Sequence, residues 1–173
     1  MRSILAAVLT LALLAGAAPS EAGIGISPRL ALPVGDFADM VGSGFGASVV
    51  LGKEVKGKPG RAGLTFLAFG EGETEGVATK ASAIGAFAGY RHNFGGADMQ
   101  LYGKLDTGLY IITSTAEASG AGMTIKLETT DTKIKATPGI GMQMGNIAAE
   151  IDYDLAGDWA TVNLYYMLGN VGQ

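Results

Sequence analysis

The stretch MQLYGKLDTGLYI, Met99 to Ile111, carries two interleaved rows of side chains. One row reads Met99, Leu101, Gly103, Leu105, Thr107, Leu109, Ile111. The other reads Gln100, Tyr102, Lys104, Asp106, Gly108, Tyr110. Successive side chains of a β-strand point to opposite faces, so the segment reads as a strand with one apolar and one charged face. IAAEIDYDL, Ile147 to Leu155, repeats the pattern: Ile147, Ala149, Ile151, Tyr153 and Leu155 oppose Ala148, Glu150, Asp152 and Asp154.

Toward the N-terminus the chain opens with an export signal. Arg2 supplies the positive start, Ile4 to Leu14 is an apolar run, Pro19 breaks any helix, and Ser20-Glu21-Ala22 offers small residues at the two positions a signal peptidase reads. Residues 1–22 are therefore expected to be removed after Ala22, leaving 23–173 as one domain. An N-terminal anchor is the alternative, but the run is shorter than the roughly 20 apolar residues of a membrane helix. The absence of Cys excludes disulfides, thiolate metal sites and a lipid-modified cysteine. A net charge of −4 leaves no basic footprint for nucleic acid. No later apolar run could form a membrane helix. An exported chain of two-faced strands implies an all-β, closed antiparallel up-and-down barrel in an outer membrane, apolar toward lipid and polar inside.

About eight strands fit. They are Gly23–Leu32, Gly44–Gly52, Ala62–Phe69, Ser82–His92, Met99–Ile111, Ile134–Met144, Ile147–Leu155 and Thr161–Gly169. Pro28 sits inside the first, where it removes a ladder hydrogen bond. The third has no clean phase: Leu64 and Phe66 fall on one face, Leu67 and Phe69 on the other. Val34–Ser43, the polar Lys53–Arg61, the acidic Gly70–Lys80 and the Ser/Thr-rich Thr113–Lys133 read as connections. In the last of these, Met123, Ile125 and Leu127 alternate with Thr124, Lys126 and Glu128, as in a strand projecting beyond the membrane or an ordered part of a loop. Inward glycines make room for Tyr102, Tyr110 and Tyr165. Tyr90 and Phe94 at one end, with Tyr153 and Trp159 at the other, are placed as two aromatic girdles.

The segments LALPVGDFADMVGSGFGASVVLG (Leu30 to Gly52), YRHNFGG (Tyr90 to Gly96), TPGIGMQMG (Thr137 to Gly145) and the final WATVNLYYMLG resemble the outer-membrane β-barrel domain family of small eight-stranded bacterial barrels. The resemblance covers most of the chain after residue 22. It implies a closed barrel held by outer-membrane lipids and inserted by the barrel-assembly machinery, and it implies no reaction or cofactor. One departure is the ending Asn170-Val171-Gly172-Gln173, where such barrels often carry an aromatic residue used for assembly.

Chemistry-bearing residues are few. His92 is the single general-base candidate, and no nucleophile is placed beside it. Glu150, Asp152 and Asp154 form a carboxylate row that could bind a cation. The competing reading is a lumen charge network in which these three and Asp106 are neutralised by Arg29, Arg91, Lys104 and Lys135. Three functions follow. The chain could be a non-enzymatic outer-membrane barrel with a structural or surface role, the surface partner of 113–133 being unknown. It could be a soluble lipocalin-like barrel holding an apolar ligand, which requires the apolar faces to point inward. It could be a lipid-modifying enzyme, which requires a nucleophile near His92.

Overall fold

The structure, a computed structural model, describes residues 23–55, 58–94, 99–120, 123–156 and 158–168. The expected signal in residues 1–22 and the C-terminal tail lie outside them. Eight strands form one closed barrel in sequence order: β1 (Gly23–Pro33), β2 (Val41–Val55), β3 (Lys58–Thr74), β4 (Val77–Asn93), β5 (Gln100–Gly120), β6 (Met123–Met144), β7 (Ile147–Tyr153) and β8 (Trp159–Leu168). All neighbours are antiparallel, and β1 closes the ring by pairing with β8. One short helix, α1 (Asp36–Met40), lies between β1 and β2.

The strand phases follow the alternation. On β1, Ile24, Ile26 and Leu32 are exposed while Ser27, Arg29 and Ala31 are buried. On β5, Leu101, Leu105 and Leu109 point out, and Tyr102, Lys104, Asp106 and Tyr110 point in. Pro28 sits in a gap of the β1–β8 ladder, whose pairs resume at Arg29↔Asn163. The register is the same on both sides of the gap, so the missing proline N–H interrupts the ladder without shifting it. Side chains added at Gly141 and Gly85 would overlap the rings of Tyr102 and Tyr110, so these glycines provide the room those tyrosines occupy.

Several expected connections are strand. Gly70–Lys80 is a hairpin that turns at Glu75-Gly76, both with positive φ (52° and 78°), as a tight two-residue turn between twisted strands requires. Thr113–Lys133 is the far half of β5 and β6, paired from Thr113↔Thr130 to Gly120↔Met123. Arg61 belongs to β3 and not to a turn.

The third strand does have a phase. Thr65, Leu67 and Phe69 point inward; Leu64 and Phe66 point outward. It reads as phaseless because the barrel interior at that end is apolar. There Phe37 from α1 packs against Phe69 (ring centroids 5.0 Å apart) and Trp159 (5.8 Å), with Tyr110, Leu67 and Ile112 around them. Trp159 is therefore not part of an outer girdle: it is 4 % exposed and fills the mouth. A smaller cluster of Val50, Phe87, Ala148, Tyr165 and Met167 fills the opposite end, where β1 begins and β8 finishes.

The outward apolar row stops on three adjacent strands, Ile84 facing Ile111 and Ile134 facing Leu109. Ile84, Ile111 and Ile134 are followed, away from the chain termini, by Ser82, Thr113 and Thr132, then by Lys80, Thr115 and Thr130. From Leu101 to Ile111 the row spans about 33 Å of strand at about 3.3 Å per residue. A tilt near 40° reduces this to about 25 Å, the height of an outer-membrane apolar band.

The lumen charge network as candidate functional site

Between the two apolar plugs the interior is ionic. Lys104 on β5 is the hub: its Nζ lies 2.8 Å from Asp106 Oδ2, 3.1 Å from Glu150 Oε2 and 2.7 Å from Asp152 Oδ1. The inward alternation of β7 puts Glu150 and Asp152 on one wall, and that of β5 puts Lys104 and Asp106 on the next but one. Arg29 on β1 donates from Nε to Asn163 Oδ1 (2.6 Å), from Nη1 to Thr65 Oγ1 (2.8 Å), and from Nη2 to Thr161 Oγ1 (2.8 Å) and Asp152 Oδ2 (3.1 Å). Asn163 Nδ2 donates to the same Asp152 oxygen at 2.7 Å. A buried ion needs partners, and Asp152 finds them on both oxygens: Arg29, Thr161 and Asn163 donate to Oδ2, and the Lys104 ammonium lies against Oδ1.

Arg61 is a member that sequence reasoning missed. Its Nη1 donates to Glu150 Oε1 (2.5 Å), its Nε lies 3.3 Å from Asp106 Oδ1, and its guanidinium sits between the rings of Phe87 and Tyr165, 5.7 and 5.6 Å from their centroids. Tyr102 donates to Glu150 at 2.9 Å. Lys135 and Asp154 form a second group nearer the plugged mouth, where Lys135 Nζ contacts Asp154 and Asp158 and lies 3.7 Å from the Trp159 ring centroid. Asp158 also takes Lys133 at 3.2 Å.

Arg91, expected among the neutralising cations, stands apart. It stacks over Tyr102, 3.7 Å from the centroid, and donates to Asn93 (2.8 Å) and Gln100 (3.4 Å) at the terminal end of the barrel. Its partner in the β4–β5 register is Lys104, and it is Lys104 that reaches the acids while the Arg91 guanidinium lies on the Tyr102 ring. Arg61 takes the place assigned to Arg91. His92 is exposed and packs edge-on against Phe94, 5.1 Å between ring centroids. Among the described residues no group of three His, Cys, Asp or Glu is arranged to hold a metal ion. The carboxylates face Lys104, Arg29, Arg61, Lys135 and the Asn163 amide.

No protein-family model and no curated protein sequence matches the chain. Among solved structures it is similar to the N-terminal β-barrel domain of Pseudomonas aeruginosa OprF (15 % identity, TM-score 0.42, covering 84 % of this chain and 97 % of that one). It is also similar to Ail, the attachment invasion locus protein of Yersinia pestis (16 %, 0.43, 86 % and 94 %). A third similar structure is a major outer membrane protein of Thermus thermophilus (11 %, 0.48, 86 % and 100 %).

Proposed function

We propose that the chain is a non-enzymatic barrel of a bacterial outer membrane, exported by residues 1–22, with a sealed lumen and a projecting ribbon that serves envelope integrity or surface contact. The observation that carries this reading is the outward apolar row, which ends at Ile84, Ile111 and Ile134 on three adjacent strands while the ion pairs lie inside. An apolar exterior of this height is stable in lipid and costly in water. It argues against the soluble ligand-binding reading, which needs those faces inward around a cavity. Two plugs and a paired ionic layer leave no wide diffusion path, as expected for eight strands. An enzyme would need a nucleophile placed on His92, which instead lies against Phe94.

Arg substitution tests the facing. Leu105→Arg and Ile151→Arg place a charge on the outward rows and are expected to cost about 2–4 kcal/mol near the midplane. Gln143→Arg, on the inward row at the terminal end, is expected to cost far less. Folding into lipid vesicles, read by the gel shift between folded and unfolded barrel, measures all three. Equal tolerance would reverse the assignment of faces.

The second expectation concerns topology. α1 and the long β5–β6 hairpin lie at the end away from the chain termini, the end that faces outward in this reading. A short epitope inserted at Ser119-Gly120 should be labelled on intact cells without loss of the folded form, because turns at ribbon tips accept insertions. Labelling only after permeabilisation would invert the orientation.

A further inference from the structure

β6 is bonded to β5 along its whole length. On its other side it pairs with β7 only from Gly139 to Met144, and one further bond runs from Leu155 N to Ala136 O. Beyond that level, among the described residues, this side of β6 has no strand beside it. Main-chain groups alternate in direction along a strand. The Ala136 bond therefore shows that residues 124, 126, 128, 130 and 132 present their N–H and C=O groups to the open edge. The Thr132 N–H is met by Asp131 Oδ1 at 2.8 Å. From Thr124 to Thr130 the edge is bare. The opposite flank of the same extension is guarded: Thr74 at the end of β3 donates to Asp39 O of α1 at 2.6 Å.

The side chains of this bare segment are also unusual. Met123, Ile125 and Leu127 are 69 %, 69 % and 65 % exposed, on the face that continues the barrel interior. The other face carries Glu117 paired with Lys126 and Thr115 paired with Glu128. A long bare edge with an apolar row on one face is a template for another strand.

We propose that this edge pairs, antiparallel, with the same edge of a second copy of the chain, about a twofold axis at Leu127. Self-complementarity selects the partner. In that register Lys126 faces Glu128 of the second copy and Glu128 faces its Lys126, Thr124 faces Thr130, and Leu127 faces Leu127. Ile125 and Leu127 of both copies then form one diagonal apolar patch. The hydrogen-bonding directions agree, because the facing pairs that exchange main-chain bonds, 124 with 130 and 126 with 128, are all edge-directed residues. Neighbouring registers lose these charge pairs: centred on Ile125, the pairing sets Ile125 on Ile125 and Met123 on Leu127 but leaves Lys126 facing Thr124. Centred on Glu128 or Lys126, the pairing sets like charges opposite each other. Centred on Thr129, it places Leu127 on Asp131 and Ile125 on Lys133. Such an isologous contact closes as a dimer and does not propagate. The twofold axis lies across the strands, so the two barrels sit at opposite ends of the joined ribbon. That they then bridge two apposed membranes rests on the membrane reading above.

The chain has no Cys, so a single substitution reports the register. In detergent, Leu127→Cys should form a disulfide-linked dimer on mild oxidation, since facing Cβ atoms lie about 4.5–5.5 Å apart. Thr124→Cys and Thr130→Cys should each stay monomeric alone and cross-link when mixed. Vesicles bearing Lys126→Glu, or those bearing Glu128→Lys, should cluster about tenfold less than wild type, and mixing the two populations should restore clustering, because every facing pair is then of opposite sign. If Leu127→Cys dimerises no better than Thr124→Cys, or if mixed charge variants cluster no better than either alone, the pairing is wrong. Cross-linking in detergent without clustering of vesicles into which the barrel has inserted would overturn the bridging of membranes. Failure to insert at all would instead count against the membrane reading.

Discussion

Lys104→Met is expected to remove about 3–5 kcal/mol of folding stability, the loss typical of taking one partner from a buried ion pair. Lys104 Nζ contacts three carboxylates, and without it Asp106, Glu150 and Asp152 share, among the described cations, only Arg61 and Arg29. Methionine keeps most of the side-chain volume, so the loss reports charge and not packing. Adding Asp152→Asn should recover part of it, since the two residues touch and their effects do not add. The recovery will be incomplete because Asp152 also holds Arg29, Asn163 and Thr161. Urea unfolding of the vesicle-inserted protein, followed by the gel shift, measures both variants. A neutral Lys104→Met with no coupling to any acid would put these charges in bulk water and remove the network.

Trp159→Ala carries the second large effect, about 3–5 kcal/mol, the range for deleting a buried Trp or Phe ring. The indole is in contact range of Phe37, Phe69 and Tyr110 and lies under Lys135, so its removal opens a void that four elements line. The outward Tyr166 on the same strand is the control: it borders no interior cluster, and truncating it should cost much less. The same unfolding assay compares them. Equal losses would mean that the mouth is not packed around Trp159.

The barrel was legible wherever one face had to be apolar and the other polar. Lys104, Asp106, Glu150 and Asp152 could be placed inside because their neighbours in sequence are Leu105, Ile151 and similar residues with nowhere to go but outward. The pattern fails at the plugged mouth. There Leu67 and Phe69 point inward into an apolar cluster, so both faces of β3 are greasy and its phase vanishes from the sequence. It fails again beyond Ile111 and Ile134, where Thr, Glu and Lys take the outer face. Hairpins there read as loops because the alternation of apolar outer and polar inner faces that marks the strands elsewhere no longer applies to them. Arg61 was missed for a related reason: it follows Lys58-Pro59-Gly60, turn-forming chemistry, and only the pairing of β3 with β2 and β4 carries the strand through it.

Arg29 gives the barrel a direction in time as well as in space. Seven of the eight strand pairings join neighbours along the chain; β1 with β8 is the exception. Three of the four Arg29 bonds cross or reach past that seam, with sequence separations of 134, 132 and 123 residues. Hairpins can zip one after another at little cost in chain entropy, while these bonds must wait for the ring to close. Until then the acids of β7 and the guanidinium of β1 stand in water at opposite margins of an open, curling sheet. The desolvation of the ionic layer therefore falls on a single late event. The salt bridge between Arg29 and Asp152 works as a clasp: it contributes nothing to the open ribbon of strands and holds only once the two ends have met.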